Sequence, residues 1–164
     1  VAIREIIQYP DEILTQVSKP VESFNKELKE LVSDMIATMY AAPGIGLAAI
    51  QIGIPKSVIV FDCSEAGNSP QSLINPKIIK ATGEINSEEG CLSIPGYRET
   101  IKRSEKVVVS GFDIDGKPVE ISADGLLSRC LQHEIDHTEG KLIIDRFSRL
   151  KKEMFLKWFQ KKNS

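Results

Sequence analysis

The run Gln132-His133-Glu134-Ile135-Asp136-His137 holds both histidines of the chain, and its spacing sets the centre of the fold. Four positions separate His133 from His137, so on a helix they share one face, about one turn (~5.4 Å) apart. Two imidazoles at that spacing can grip one metal ion. Glu134 is rotated by about 100° from His133, near enough to reach a water at the ion without being a ligand itself. Two imidazole ligands beside a carboxylate general base make the HExxH arrangement of hydrolytic metal sites. A helix carrying two surface histidines by chance would look similar, but no other histidine exists in 164 residues and the glutamate falls in register. A metal-binding helix is therefore expected, opened by Asp124 as its N-cap and running to Gly140.

Two ligands do not make a stable site, so a third comes from elsewhere in the chain. Neither familiar protease completion is present. A glutamate about twenty residues past the second histidine would be needed for one, but position 157 is Lys157 and Glu153 falls short. The metzincin spacing holds as far as Gly140 and then fails at Ile143. Cysteine is the remaining strong ligand type, as Cys63, Cys91 and Cys130. Cys130 shares the histidine face but lies about 10.5 Å along the helix axis from His137, too far to converge with both imidazoles. It is expected on the cavity floor. Cys63 ends the apolar run Val58-Ile59-Val60-Phe61-Asp62 and reads as an inert strand residue. Cys91, in Glu88-Glu89-Gly90-Cys91-Leu92-Ser93-Ile94-Pro95 with Gly96 following, is the preferred ligand, set on a sharp glycine-flanked turn.

Outward from that centre, Asn25 to Tyr40 repeats apolar residues (Leu28, Leu31, Val32, Met35, Ile36, Met39) at helical steps until Pro43-Gly44 stops it. Short strands are expected at Ser57–Asp62, Ser72–Asn75 and Lys77–Ala81. Lys106–Phe112 and Lys117–Ser122 flank Asp113-Ile114-Asp115-Gly116 as a hairpin. From 148 to 164, Leu150, Met154, Phe155, Trp158 and Phe159 form one apolar stripe, with lysines at 151, 152, 157, 161 and 162 opposite. Such a helix suits docking on its own domain better than a membrane or ribosomal RNA. The expected class is α+β: short antiparallel sheets around a central metal-binding helix, with an amphipathic helix before and another at the C-terminus.

Length bounds this to one domain, 1–164, large enough for a core without staples. Charge is nearly balanced, 21 basic against 23 acidic residues, so no global field points to nucleic acid or an anionic membrane. No apolar run approaches the ~18 residues of a membrane span, and no leader is visible. Three widely spaced cysteines make no disulfide framework, and a thiolate ligand favours a reducing compartment, so the cytoplasm is expected.

The segments Gly44-Ile45-Gly46-Leu47-Ala48-Ala49-Ile50-Gln51, Glu89-Gly90-Cys91-Leu92-Ser93 and Gln132-His133-Glu134-Ile135-Asp136-His137 together resemble the signature of bacterial-type peptide deformylases. The likeness runs from about Tyr9-Pro10-Asp11 to about Asp145. It implies a hydrolase that removes the formyl group from N-formylmethionine of nascent polypeptides and releases formate. It also implies one divalent metal held by Cys91, His133 and His137, with ferrous iron favoured in the cell and zinc, nickel or cobalt as substitutes. Glu134 would be the catalytic acid and base, and the Gln51 amide and Leu92 backbone N–H would stabilise the oxyanion. Ile45, Gly46, Glu89, Gly90, Arg98, Leu126 and Cys130 would bind substrate. Ser87 and Arg129 depart from the apolar residues expected in the side-chain pocket, and Asp136 is expected to pair with Arg103. Expected partners are formylated nascent chains in a bacterial cytoplasm, with a transient ribosome contact through the C-terminal helix. A metallopeptidase and a purely structural metal module are the competing readings. The first lacks its third-ligand patterns; the second needs a fourth Cys or His that Cys130 is badly placed to supply.

Overall fold

The computed structural model describes residues 1–164. After an N-terminal segment and a short 3-10 turn, Glu12–Thr15, helix α1 spans Lys26–Ala41, with the Asn25 side chain accepting from the Leu28 N–H as N-cap. Strand β1 (Gly46–Ala48) leads through the 3-10 turn Ala49–Ile52 to β2 (Val58–Phe61). Then come β3 (Gln71–Thr82), β4 (Ile85–Cys91), β5 (Ile94–Arg103), β6 (Lys106–Phe112) and β7 (Pro118–Asp124). Helix α2 (Gly125–Thr138), a 3-10 turn (Ile143–Arg146) and α3 (Arg149–Lys162) complete the chain.

All strand pairs are antiparallel, in a five-stranded sheet of order β1-β2-β3-β6-β7 and a two-stranded sheet β4-β5. The unbroken apolar run of β2 has a physical cause: both of its faces are covered. Val58 and Val60 pack with Leu28, Leu31, Val32, Met35 and Met39 of α1. Ile59 and Phe61 pack with Leu131 and Ile135 of α2. Burying both faces removes the alternation of a half-exposed strand. The expected α+β arrangement around a central helix is thus the one observed.

Two expectations change. The runs Ser72–Asn75 and Lys77–Ala81 are one strand, β3, whose register against β6 shifts between Ile74 and Lys77. Asn75 takes a left-handed conformation (φ 51°), and its side chain pairs with the backbone of Val21. Pro76, with no N–H to donate, is accommodated at this irregularity rather than ending the strand. Asp124 occupies the N-cap position of α2 while its backbone still pairs with Lys106 at the end of β7, but its side chain makes no capping bond.

The C-terminal stripe also divides. Phe155, Trp158 and Phe159 dock beside Tyr9, Tyr97 and Phe147, while Leu150 and Met154 are 66% and 51% exposed. At 100° per residue, Leu150 and Met154 fall off the face defined by 155, 158 and 159, which instead includes Lys151 and Lys162. Those two lysines are therefore not opposite the docked face. Lys151 donates to the Thr100 carbonyl (2.7 Å) and Lys162 to the Pro95 carbonyl (3.2 Å), with Lys162 also over the Trp158 ring.

Candidate metal centre

Helix α2 turns His133 and His137 to one side, their ring centres 5.1 Å apart. Opposite them, strand alternation on β4 buries Ser87, Glu89 and Cys91 while Glu88 faces out. Cys91 Sγ lies 3.4 Å from His137 Nε2, and one donor atom each from Cys91, His133 and His137 falls within 4.8 Å of the others. His133 Nδ1 is 2.9 Å from Glu89 Oε1, which leaves Nε2 as its inward donor. One sulfur and two imidazole nitrogens, converging without a fourth protein donor, fit a single divalent ion with a place left open for substrate or water. Cys130 is not among them. It lines the cavity, donates to the Ile45 carbonyl (3.7 Å) and meets the Cys63 thiol.

The electrostatics suit an ion. Burial would push the Cys91 thiol up, yet His137 and His133 hold it well below its ordinary range. Burial would lower His133, but Glu134, Cys91 and Glu89 hold it well above the usual imidazole value. A cation here replaces a proton that thiolate and imidazole would otherwise share.

Around the ligands stands a fully paired ionic network. Arg103, 1% exposed, donates from Nε and Nη2 to the two oxygens of Glu89 (2.8 Å each) and from Nη1 to Asp136 (2.7 Å). Arg146 closes on both oxygens of Asp136 at 2.6 and 2.7 Å. The Asp136–Arg103 pair was legible in sequence; Arg146 was not, since nothing local to it signals a partner ten residues back. Glu89, expected against substrate, has both carboxylate oxygens engaged by Arg103 and His133. Its side chain is therefore turned to Arg103 and the candidate ligand His133, and its place along the cavity wall is what remains for substrate. Gln132 adds a further tie, accepting from the Ser104 N–H and donating to its carbonyl, both at 2.9 Å.

Glu134 is buried and its Oε1 meets no protein donor. Burial raises its carboxyl above the ordinary range. Gly46 makes this possible: a Cβ at that position would sit 2.9 Å from Glu134 Cγ and Cδ, so the close strand–helix approach needs glycine. Gln51 is buried beside the ligands. Its Oε1 accepts from the Ala48 N–H (2.9 Å), which fixes the amide so that Nε2 faces Ser93 Oγ (3.0 Å) and Cys91 Sγ (3.7 Å). Ser93 was not expected in this role, because a serine within a turn carries no signal of its own.

A cavity of about 1260 Å³ opens onto this centre. Its walls include Ile45, Gly46, Gly90, Leu92, Arg98, Leu126 and Cys130, and also Ser87 and Arg129. Leu92 lies against Gly44. Arg98, exposed at the rim, pairs with Glu88 at 3.0 Å. The N-terminal residues Ile3 to Gln8 also line it, a contribution that no residue pattern announced.

A candidate metal site of one sulfur and two imidazoles, with an unpaired buried carboxylate at its edge and held between a helix and a hairpin of an α+β fold, has the makeup of a metallohydrolase. A sequence model of the polypeptide deformylase family matches residues 3–153. The chain is 52% identical over 163 residues to a peptide deformylase of Thermodesulfovibrio yellowstonii, covering 98% of this chain and 99% of that one. Among solved structures it is similar to a peptide deformylase from Legionella pneumophila (TM-score 0.92, 47% identity, 99% of this chain and 96% of that one). It is also similar to one from Ehrlichia chaffeensis in complex with actinonin (TM-score 0.92, 36% identity, 99% and 98%). The chain belongs to the polypeptide deformylase family, and it is an enzyme that hydrolyses the N-terminal formyl group of newly made polypeptides.

Proposed function

We propose that this deformylase works with Cys91, His133 and His137 as the ligands of one divalent ion, Glu134 as its acid and base, and Gln51 as an oxyanion donor. The observation that carries the assignment is the convergence of three donors, one sulfur and two nitrogens, beside a buried carboxylate with an unbonded oxygen. Bound there, the ion would polarise the formyl carbonyl and lower the pKa of a water toward ~7.

Glu134, made more basic by burial, takes a proton from the attacking water and returns it to the departing amine. The Gln51 amide and the Leu92 backbone N–H donate to the oxygen on which charge develops, an interaction that strengthens toward the transition state. Glu89 holds the His133 ring in its ligating orientation, while Arg103 fixes Glu89. Ile45, Leu126, Cys130 and the edge of His133 enclose the first side chain. Gly46, Gly90 and Arg98 flank the peptide that follows it.

Ferrous iron is the proposed ion in the cell, as the family resemblance implies, and a bacterial cytoplasm is the proposed compartment because thiolate survival favours reducing conditions. Outward-facing Leu150, Met154, Lys157 and Lys161 of α3 are where a ribosome contact would form. The test is formate release from a formyl-methionyl peptide by protein purified without oxygen, with metal content measured on the same sample. Cleavage of unblocked peptides with no formate release would overturn the reading.

A further inference from the structure

Ser87 sits two residues before Glu89 on β4, in the same inward row as Cys91, and it lines the cavity with Leu126, Arg129, Cys130 and His133. Its hydroxyl is buried, and no protein donor or acceptor lies within hydrogen-bond reach. A buried hydroxyl without a partner is costly, so a serine in the wall of the side-chain pocket calls for a ligand that pairs with it. Nearby, the Cys130 thiol donates to the Ile45 carbonyl and the Arg129 Nε turns back to the Gly125 carbonyl at 3.4 Å, so Ser87 is the buried hydroxyl of this wall left to a ligand.

Resting on the deformylase reading above, we infer that Ser87 is a specificity-determining residue whose hydroxyl donates to an oxygen at the end of the substrate's first side chain. The side chain it selects is methionine sulfoxide, accepted alongside methionine. Three features choose this class. The pocket is shaped by the deformylase reaction for a long unbranched side chain. A carboxylate end would bring a second negative charge into the buried site of Glu134. A carboxamide end would bring two donors as well as its acceptor, whereas a sulfoxide carries an acceptor alone and one hydroxyl satisfies it. Because sulfoxide sulfur is chiral and the Ser87 donor is fixed on a strand, one epimer places its oxygen toward Ser87.

The experiment uses metal-loaded enzyme and formyl tripeptides beginning with norleucine or with each separated epimer of methionine sulfoxide. The readout is the ratio of kcat/KM for sulfoxide over norleucine. In Ser87→Ala this ratio is expected to fall roughly 3- to 10-fold for the preferred epimer, the factor one neutral hydrogen bond supplies, and the epimer preference should vanish. Ser87→Thr, which keeps the hydroxyl, should restore both. A merely structural serine would shift all three substrates together. An unmoved ratio with norleucine cleavage intact overturns this inference alone. A wild-type holoenzyme that releases no formate from the norleucine peptide overturns the deformylase reading, and this inference with it.

Discussion

Glu134 and Cys91 show how far single residues could be read before any fold was known. The helical register of Glu134 next to His133 was enough to give it a proton-handling role, and the structure leaves its Oε1 unbonded and buried. Glu134→Gln should therefore keep metal and fold but lower turnover by ~10²-fold or more. Metal analysis beside formate release checks this, and loss of the metal would make Glu134 a ligand instead. Cys91 was separated from Cys130 by axial distance and by its glycine-flanked turn, a choice the 3.4 Å approach of Cys91 to His137 supports. Cys91→Ser should strip or severely weaken metal binding, because a neutral hydroxyl replaces thiolate poorly. Cys63→Ser, altering a residue outside the donor cluster, should leave metal content unchanged. If Cys63→Ser emptied the site and Cys91→Ser did not, the assignment would fail. Glu89 was not legible in this way. A carboxylate beside a cysteine looks alike whether it faces substrate or a histidine, and only the pairing of β4 with β5 brings Arg103 to it.

At the scale of elements, the long runs were the readable ones. Helix α1, strand β2 and the β6–β7 hairpin carry strong apolar periodicity or turn chemistry and fall close to where they were expected. The β4–β5 hairpin does not, because its buried face reads Ser87, Glu89, Cys91 rather than valine and isoleucine. Its inward residues serve a polar centre, so the hydrophobic alternation that announces a strand is missing. What holds this hairpin on α2 is Arg103, at the end of β5. Removing it leaves Glu89 and Asp136 buried with part of their charge uncompensated. Arg103→Met is therefore expected to cost ~3–5 kcal/mol, the penalty of breaking a buried pair from one side. Lys102→Ala, one residue away, removes a pair to Glu84 in which both side chains are about two-thirds exposed; it should cost under ~1 kcal/mol. Denaturant titration of the two variants gives the comparison, and equal effects would show that the network contributes no more than a surface bridge.

Across the whole molecule, three apolar clusters converge on one polar centre: under α1, under α2, and beneath α3 with β4 and β5. The ionic groups that join these parts also set how the protein answers acid. Burial by itself would raise Glu89, but Arg103 and His133 outweigh it and hold the carboxyl far below the ordinary range. Burial would likewise raise Asp136, and Arg146 with Arg103 brings it below. A carboxyl depressed on folding binds protons more readily in the unfolded chain. Its stabilisation is thus complete above the ordinary carboxylate range, near pH 4, and is lost as pH falls from there toward the folded values. The contribution of these two carboxyls to the unfolding free energy should stay nearly flat from neutrality to about pH 5 and then drop steeply. Acid also releases ions from imidazole and thiolate ligands, so the wild-type curve by itself cannot isolate the network. Asp136→Asn can, because Asp136 touches Arg103 and Arg146 but belongs to no ligand set. That variant should be less stable at neutral pH and lose less on acidification, so the two curves converge at low pH. Denaturant titrations at matched pH values measure the gap directly, and a gap constant from neutrality into acid would mean that the Asp136 carboxyl is not depressed by its arginines.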